Sequence, residues 1–255
     1  LKVNKEIKIL LDEAYFKFNQ KNFIANDPIC IPHLFSKKED IEIAGFLAST
    51  LAWGNRKSII NNCAKLMKWM DMQPHDFILH HRKKDLKVFE KFVHRTFNSD
   101  DCLYFIKSLR NIYQKHDGLE NLFCSHPTNI KDAIENFRTL FFELPHLSRT
   151  EKHVSSPNKN SSSKRLCMYL RWMVRKDAYG VDFGIWKNIQ TKDLYLPLDV
   201  HTGNVSRYLG LLNRKQNDWK AVEEITSILR QYDPKDPIKY DFSLFGLGVE
   251  GLLIQ

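Results

Sequence analysis

Lys164 and Asp199, 35 positions apart, are the two residues of this chain whose types and settings invite chemistry. Ser161, Ser162 and Ser163 precede the lysine and are suited to cap a helix. Its body (Leu166, Cys167, Met168, Tyr169, Leu170, Trp172, Met173, Val174) is apolar on nearly every side, so the helix is expected to run through the interior. Lys164 then falls in the first turn. There the positive end of the helix dipole, neighbouring Arg165 and any desolvation all disfavour an ammonium, which biases the side chain toward a neutral, nucleophilic amine. Backbone N–H groups at the same helix start offer a phosphate site. On this segment alone, an exposed, phosphate-contacting cation is the favoured reading of Lys164. Asp199 follows Pro197-Leu198 and stands where the N-cap of the next helix belongs. Capping keeps a carboxylate ionised and oriented, which suits it to stabilise a developing cation or to move a proton.

The elements that must position this pair read as helices almost throughout. Ala44, Leu47, Ala48 and Leu51 follow the i, i+3, i+4, i+7 pattern, as do Ile130, Ala133, Ile134 and Phe137, and Val205, Tyr208, Leu209 and Leu212. Further helices are expected at Glu6–Asn19, Lys57–Met70, Lys84–Val93, Asp100–Gln114, Trp219–Tyr232 and Ile238–Leu247. No alternating run is long enough to nucleate a sheet, so the predicted class is all-α. His146–Ser163 reads as an exposed, partly flexible loop, and Lys176–Leu198 as a packed connector with a short helix at Ile185–Ile189.

The 39 Lys+Arg outnumber the 30 Asp+Glu by nine, and the excess is concentrated. Residues 145–176 carry eight cations, including Lys164, Arg165, Arg171 and Arg175, against Glu151 alone. Residues 80–95 add Arg82, Lys83, Lys84, Lys87, Lys91 and Arg95 against Asp85 and Glu90. Concentrated positive charge points to nucleic acid, polyphosphate or another anionic surface, although any single basic run also fits a solvated helix face. Cys30, Cys63, Cys102, Cys124 and Cys167 are dispersed and form no C-x-x-C pair, which argues against a disulfide framework, a zinc knuckle or a cysteine-held cluster. No apolar stretch is long enough for a membrane helix, and a cytoplasmic, membrane-free chain is expected. The dipeptides His75-Asp76 and His116-Asp117 hint at an all-α metal-dependent phosphohydrolase, but no ordered set of further ligands accompanies them.

At S-S-S-K-R-L and P-L-D-V-H-T-G-N-V-S-R the chain resembles the helix-hairpin-helix DNA glycosylase superfamily, which includes endonuclease III and the 8-oxoguanine glycosylases. Over nearly its whole length, notably at R-W-M-V-R-K-D, P-L-D-V-H-T-G and Y-D-F-S-L-F-G-L-G, it is similar to a bacterial family related to these enzymes. The resemblance implies a helix-hairpin-helix fold with the active site in a cleft between two helical lobes: residues 38–176, ending in the hairpin and the lysine helix, and a discontinuous lobe of residues 1–37 plus 177–255. It also implies a base-excision repair activity in which Lys164 attacks the anomeric carbon of an extruded, damaged nucleotide. Asp199 would stabilise the cationic sugar, and an abasic-site lyase step would follow through a Schiff base. Ser162, Ser163, Arg165, Asn55 and Arg56 become candidates for nucleic-acid contacts, joined by Arg171 and Arg175 from the basic segment. Trp53, Trp172 and Trp186 become candidates to stack on the flipped base, although core packing competes for each.

The chain departs from the superfamily in three respects. Serines stand where hairpin glycines of the L-P-G-V-G type are usual. The lysine-to-aspartate spacing is longer than in endonuclease III and nearer the archaeal 8-oxoguanine branch, which favours 8-oxoguanine as substrate. No C-terminal cysteine cluster exists, so neither an iron–sulfur cluster nor any other cofactor or metal is expected. The expected partner is damaged, double-stranded DNA bound by a monomer, nucleoid-associated while engaged. A non-catalytic helix-hairpin-helix nucleic-acid-binding protein is the alternative.

Overall fold

The computed structural model describes residues 3–125 and 129–251. Among them are twelve α-helices and no β-strand: α1 (Lys5–Phe18), α2 (Lys21–Ala25), α3 (Lys38–Leu51), α4 (Arg56–Trp69), α5 (Pro74–His80), α6 (Ser99–Lys115), α7 (Leu119–Cys124), α8 (Ile130–Phe141), α9 (Lys164–Val174), α10 (Val200–Tyr208), α11 (Trp219–Tyr232) and α12 (Tyr240–Glu250). The all-α reading of the sequence agrees with this. No helix among the described residues is long and apolar enough to cross a membrane.

The chain divides into two units. One comprises Leu1–Phe23 with Ser156–Gln255, the other Ile24–Ser155. These bounds differ from the lobes that the resemblance implies, because α9 groups with the terminal segments rather than with the central part of the chain. Electrostatics accounts for the difference: Arg171 of α9 and Arg175 at its C-cap bind Asp182, Asp236 and Asp241, all C-terminal to it.

In the central unit α3 packs against α4 and α5, and α6 against α5 and α8. The core is aromatic. Phe46 of α3 meets Phe105 of α6 and Phe137 of α8 with ring centroids 5.7 and 5.4 Å apart, and Phe105 meets Phe141 at 4.8 Å. Residues 84–93, expected as an α-helix, instead form the 3-10 helix Lys83–Lys91. Leu86, Phe89 and Phe92 recur every third residue, a spacing that only three residues per turn keeps in line. Phe89 and Phe92 are buried as a result, with Trp69 of α4 set edge-on to both at 5.4 and 6.1 Å. Val93, which that line leaves out, is exposed.

The segment 146–163, expected as an exposed loop, is packed: Thr150, His153, Val154 and Ser156 are buried. Asp101 of α6, itself 0% exposed, gathers this segment. Its carboxylate accepts from Thr150 Oγ1 at 2.8 Å, from Arg149 at 2.8 Å and from the Asn98 amide at 3.0 Å, and lies 3.1 Å from His153 Nε2. Burial pushes the Asp101 carboxyl up, but the Asn98 and Thr150 bonds and the charges of His153 and Arg149 outweigh it, so its pKa lies below the usual carboxylate value. A depressed carboxylate stabilises the fold above its unfolded pKa of about 3.9 and loses that contribution as pH falls through the folded value. Asp101→Asn is expected to cost about 1.5–3 kcal/mol at neutral pH, the range for hydrogen bonds to a charged group. In thermal melts the gap between wild type and variant should narrow below pH 4.

In the other unit α12 packs against both α1 and α10. The F-G-L-G end of its motif makes this possible. A Cβ on Gly246 would lie 2.2 Å from the Phe18 ring of α1, and one on Gly248 would lie 3.2 Å from the His201 carbonyl of α10. The helix expected at Ile185–Ile189 does not form. Amides in that connector instead serve the C-terminal carbonyls of α9: Phe183 N donates to Trp172 O at 2.8 Å, and Trp186 N to Met173 O at 2.9 Å. Gly184, at φ +57°, lies so close to Lys176 that a Cβ would sit 2.4 Å from that side chain.

Candidate functional site

Lys164 is the first residue of α9, and the turn before it is strained. The 3-10 turn Pro157–Lys159 ends at Asn160 with φ +61°, and Ser163 follows with φ +47° and ψ +33°. Asparagine tolerates the left-handed region, whereas for serine the conformation costs about 1–2 kcal/mol. Tight contacts hold it there. The Ser163 amide donates to Ser161 Oγ at 3.2 Å, and the Ser163 carbonyl accepts from the Leu166 and Cys167 amides at 3.0 Å each. Ser161 bridges to Asp218, the N-cap of α11, and Asn160 Nδ2 donates to the Asp218 carboxylate at 3.0 Å. The serines therefore cap α9 differently from the expected manner: Ser163 occupies the N-cap position but makes no side-chain capping bond, and backbone geometry starts the helix.

Asp199 caps α10 as the sequence suggests. Its Oδ1 accepts from the Thr202 amide at 2.9 Å while the Asp199 amide donates to Thr202 Oγ1 at 2.8 Å, a reciprocal box. Asn217 Nδ2 donates to the Asp199 carbonyl at 2.9 Å and closes the other side. With one carboxylate oxygen so engaged, the second meets Lys164. Lys164 Nζ lies 3.0 Å from Asp199 Oδ2, with the amine about one-third exposed and the carboxylate largely buried. Burial raises the Asp199 pKa, yet the Lys164 charge and the Thr202 amide prevail and hold it below the ordinary value.

Seven residues along α9 stands Arg171, and at the helix C-cap Arg175, both expected to contact phosphate. They do not reach solvent: their exposures are 4% and 0%. Arg171 donates to Asp182 at 3.2 Å and to Asp241 of α12. Arg175 donates to Asp236 at 3.0 Å, to Asp182 at 3.0 Å, to Asp177 and to the Tyr15 hydroxyl at 2.7 Å. A buried charge must be paired, and these aspartates, scattered through R-K-D, V-D, P-K-D and Y-D-F, supply the pairing. That surplus of aspartate flanking a basic apolar helix was the available sequence signal. Burial pushes the Asp241 carboxyl up to about 6 against the pull of Arg171, with Asp199 and Lys164 acting on it in opposite directions. Asp241 and Thr202 are thus site-shaping residues that the motif reading did not single out.

The remaining candidates divide. Arg165 is half-buried and remains charged at neutral pH, although burial lowers its pKa to about 10. Ser162 is half-buried beside it. Trp172 and Trp186 are fully buried, Trp186 edge-on to Tyr169 at 5.4 Å, so neither is placed to stack on a base. Asn55, Arg56 and Trp53 belong to the central unit. Asn55 caps α4 through the Ser58 amide at 3.1 Å, Arg56 is exposed, and Trp53 is half-buried beneath the Arg95 guanidinium at 4.8 Å.

The two His-Asp dipeptides meet only in part, through His75 and Asp117, while Asp76 and His116 have other partners. His116 lies 3.2 Å from Glu143, and Asp76 lies 3.0 Å from His80. His75 and Asp117 line a polar cavity of about 250 Å³ with Lys38, Glu42, Tyr113 and Glu120. Among the described residues no group of three or more His, Cys, Asp or Glu is arranged to hold a metal. The five cysteines are all unbridged.

Comparison with curated proteins and with solved structures returned no match. Residues 27–250, which include α9, Asp199 and all of α12, match the model of the family described as "Protein of unknown function (DUF2400)", and the chain belongs to that family.

Proposed function

We propose that this chain is a DNA-repair glycosylase with an associated abasic-site lyase step, acting through Lys164 and Asp199 on a helix-hairpin-helix glycosylase-like arrangement. The observation that carries the reading is the 3.0 Å approach of these two side chains. Each was singled out in the sequence for its place at a helix start, and both functions need the two groups together. The strained, glycine-free turn before Lys164 adds support, since backbone strain collects at functional sites.

In the reaction a damaged base is extruded from duplex DNA. Asp199 Oδ2 takes a proton from the Lys164 ammonium, and the freed electron pair attacks the anomeric carbon. The bond to the base breaks, the base leaves with its electron pair and takes up the proton held by Asp199, and the restored carboxylate offsets positive charge on the sugar. Loss of the second amine proton and opening of the sugar ring give a Schiff base on Lys164. Removal of a C2′ proton then expels the 3′ phosphate. No cofactor enters these steps. The Lys-to-Asp spacing makes 8-oxoguanine the first substrate to try.

Incubation with duplexes bearing 8-oxoguanine or an abasic site, followed by borohydride reduction, is expected to give a covalent protein–DNA adduct that Lys164→Gln abolishes. An adduct that survives in Lys164→Gln moves the nucleophile elsewhere. Binding without any adduct across a panel of lesions supports instead the non-catalytic nucleic-acid-binding protein.

A further inference from the structure

Half of the cations in the run where positive charge is densest in sequence are taken up by aspartates. In residues 145–176, Arg149, Lys164, Arg171 and Arg175 are all paired with aspartates that lie outside that segment. The cations of the central unit are arranged otherwise. Residues 56–69 and 82–95 hold ten Lys and Arg against Asp85 and Glu90 alone, a net +8 compared with +9 for the whole chain. All ten cations are exposed. Lys57, Lys68, Lys83, Lys84, Lys87 and Lys91 make no ion pair among the described residues.

These two stretches form one surface. Asn62 of α4 lies 2.9 Å from His94 Nδ1, and the other ring nitrogen of His94 lies 3.2 Å from the Trp53 carbonyl just before α4. Trp69 at the end of α4 packs on Phe89 and Phe92, and Lys65 lays its ammonium over the same Trp69 ring at 4.6 Å. Arg95 covers Trp53. On α4 the exposed positions 57, 61, 65 and 68 follow one helical stripe, and three of them are lysine. The 3-10 helix beside it turns its aromatic side inward and its lysines outward.

We infer that the surface formed by α4 and the 3-10 helix Lys83–Lys91 is a docking face for the phosphate backbone of double-stranded nucleic acid. Eight steps from Lys83 to Lys91 at roughly 2.0 Å each span about 16 Å, close to five phosphates of one strand at about 3.4 Å of axial rise. An anionic membrane is the less suitable partner. Interfacial helices insert an aromatic or aliphatic face between lipids, whereas Phe89, Phe92 and Trp69 are spent on the unit's own core, leaving Val93 at the edge. The inference shares with the proposed function only its partner. It needs no chemistry at Lys164, so either can fail alone.

The test is binding of the full chain to an undamaged, fluorescently labelled 20-base-pair duplex between 50 and 200 mM KCl. Wild type should show log affinity falling linearly with log salt. Replacing Lys83, Lys84 and Lys87 together by Gln removes three exposed charges, with folding checked by an unchanged melting temperature. The salt slope should become shallower by about 2.7, three phosphates at about 0.9 each. A charge-matched control, Lys152, Lys159 and Lys176 all to Gln, should keep the wild-type slope within about one unit. The inference is overturned if the first variant keeps the wild-type slope, if the control loses as much, or if wild type does not bind the duplex at 50 mM KCl. It is equally overturned if wild type sediments with phosphatidylserine-containing vesicles and excess duplex does not release it.

Discussion

Asp199→Asn is expected to slow formation of the borohydride-trapped adduct by about 10²- to 10⁴-fold, the usual worth of a positioned acid–base group. Helix capping should be retained, so the stability lost is only what the ion pair with Lys164 contributes. Asparagine caps helices about as well as aspartate, and its side-chain oxygen can still accept the Thr202 amide. The carboxylate facing Lys164 Nζ is what disappears, so the variant separates capping from proton transfer. Because the Asp199 pKa is held below the ordinary range, the carboxylate's stabilising contribution is present at neutral pH and lost as pH falls through its folded pKa. Any melting difference between wild type and Asp199→Asn should therefore shrink in acid. Single-turnover trapping and paired melts at pH 7 and pH 3 provide the measurement. A variant that traps at the wild-type rate would assign Asp199 to capping alone.

Arg175→Met is expected to destabilise its unit by about 3–5 kcal/mol, the cost of breaking a buried ion pair and leaving its partners uncompensated. Asp177, Asp182 and Asp236 all lean on this one guanidinium, and the Tyr15 hydroxyl is its fourth acceptor. Although burial alone would lower the Arg175 pKa, Asp182, Asp236, Tyr15 and Asp177 together raise it above the usual value. Adding Asp182→Asn to Arg175→Met removes one of the stranded charges and should recover part of the loss, a coupling that a double-mutant cycle reads directly. If Arg175→Met melts as wild type and loses affinity for DNA instead, the phosphate-contacting role expected from the basic segment is restored.

Much of the fold was legible because apolar spacing is a local property. The patterns at Ala44–Leu51, Ile130–Phe137 and Trp219–Tyr232 sit on α3, α8 and α11, and Asp199 caps α10 through the short-range Asp-x-x-Thr box. The departures have non-local causes. Residues 83–91 tighten to a 3-10 helix because Phe89 and Phe92 must both reach Trp69. Residues 146–155 are packed because Asp101, some fifty positions earlier, collects Thr150 and His153. At the candidate site the sequence pointed to both members of the Lys164–Asp199 pair. It could not show that Trp172 and Trp186 are buried, since an aromatic residue on an apolar helix suits a core and a binding pocket equally.

By itself, then, the sequence determined an all-α chain, two helix starts carrying a lysine and an aspartate, and a net charge of +9. Only the tertiary structure decided which cations remain available to a partner. Charge in a sequence is a sum over neighbours along the chain, but pairing depends on neighbours in space. Arg171 and Arg175 lie in the densest basic run and are neutralised by aspartates up to 70 positions away, while Lys83, Lys84 and Lys87 keep their charge facing outward.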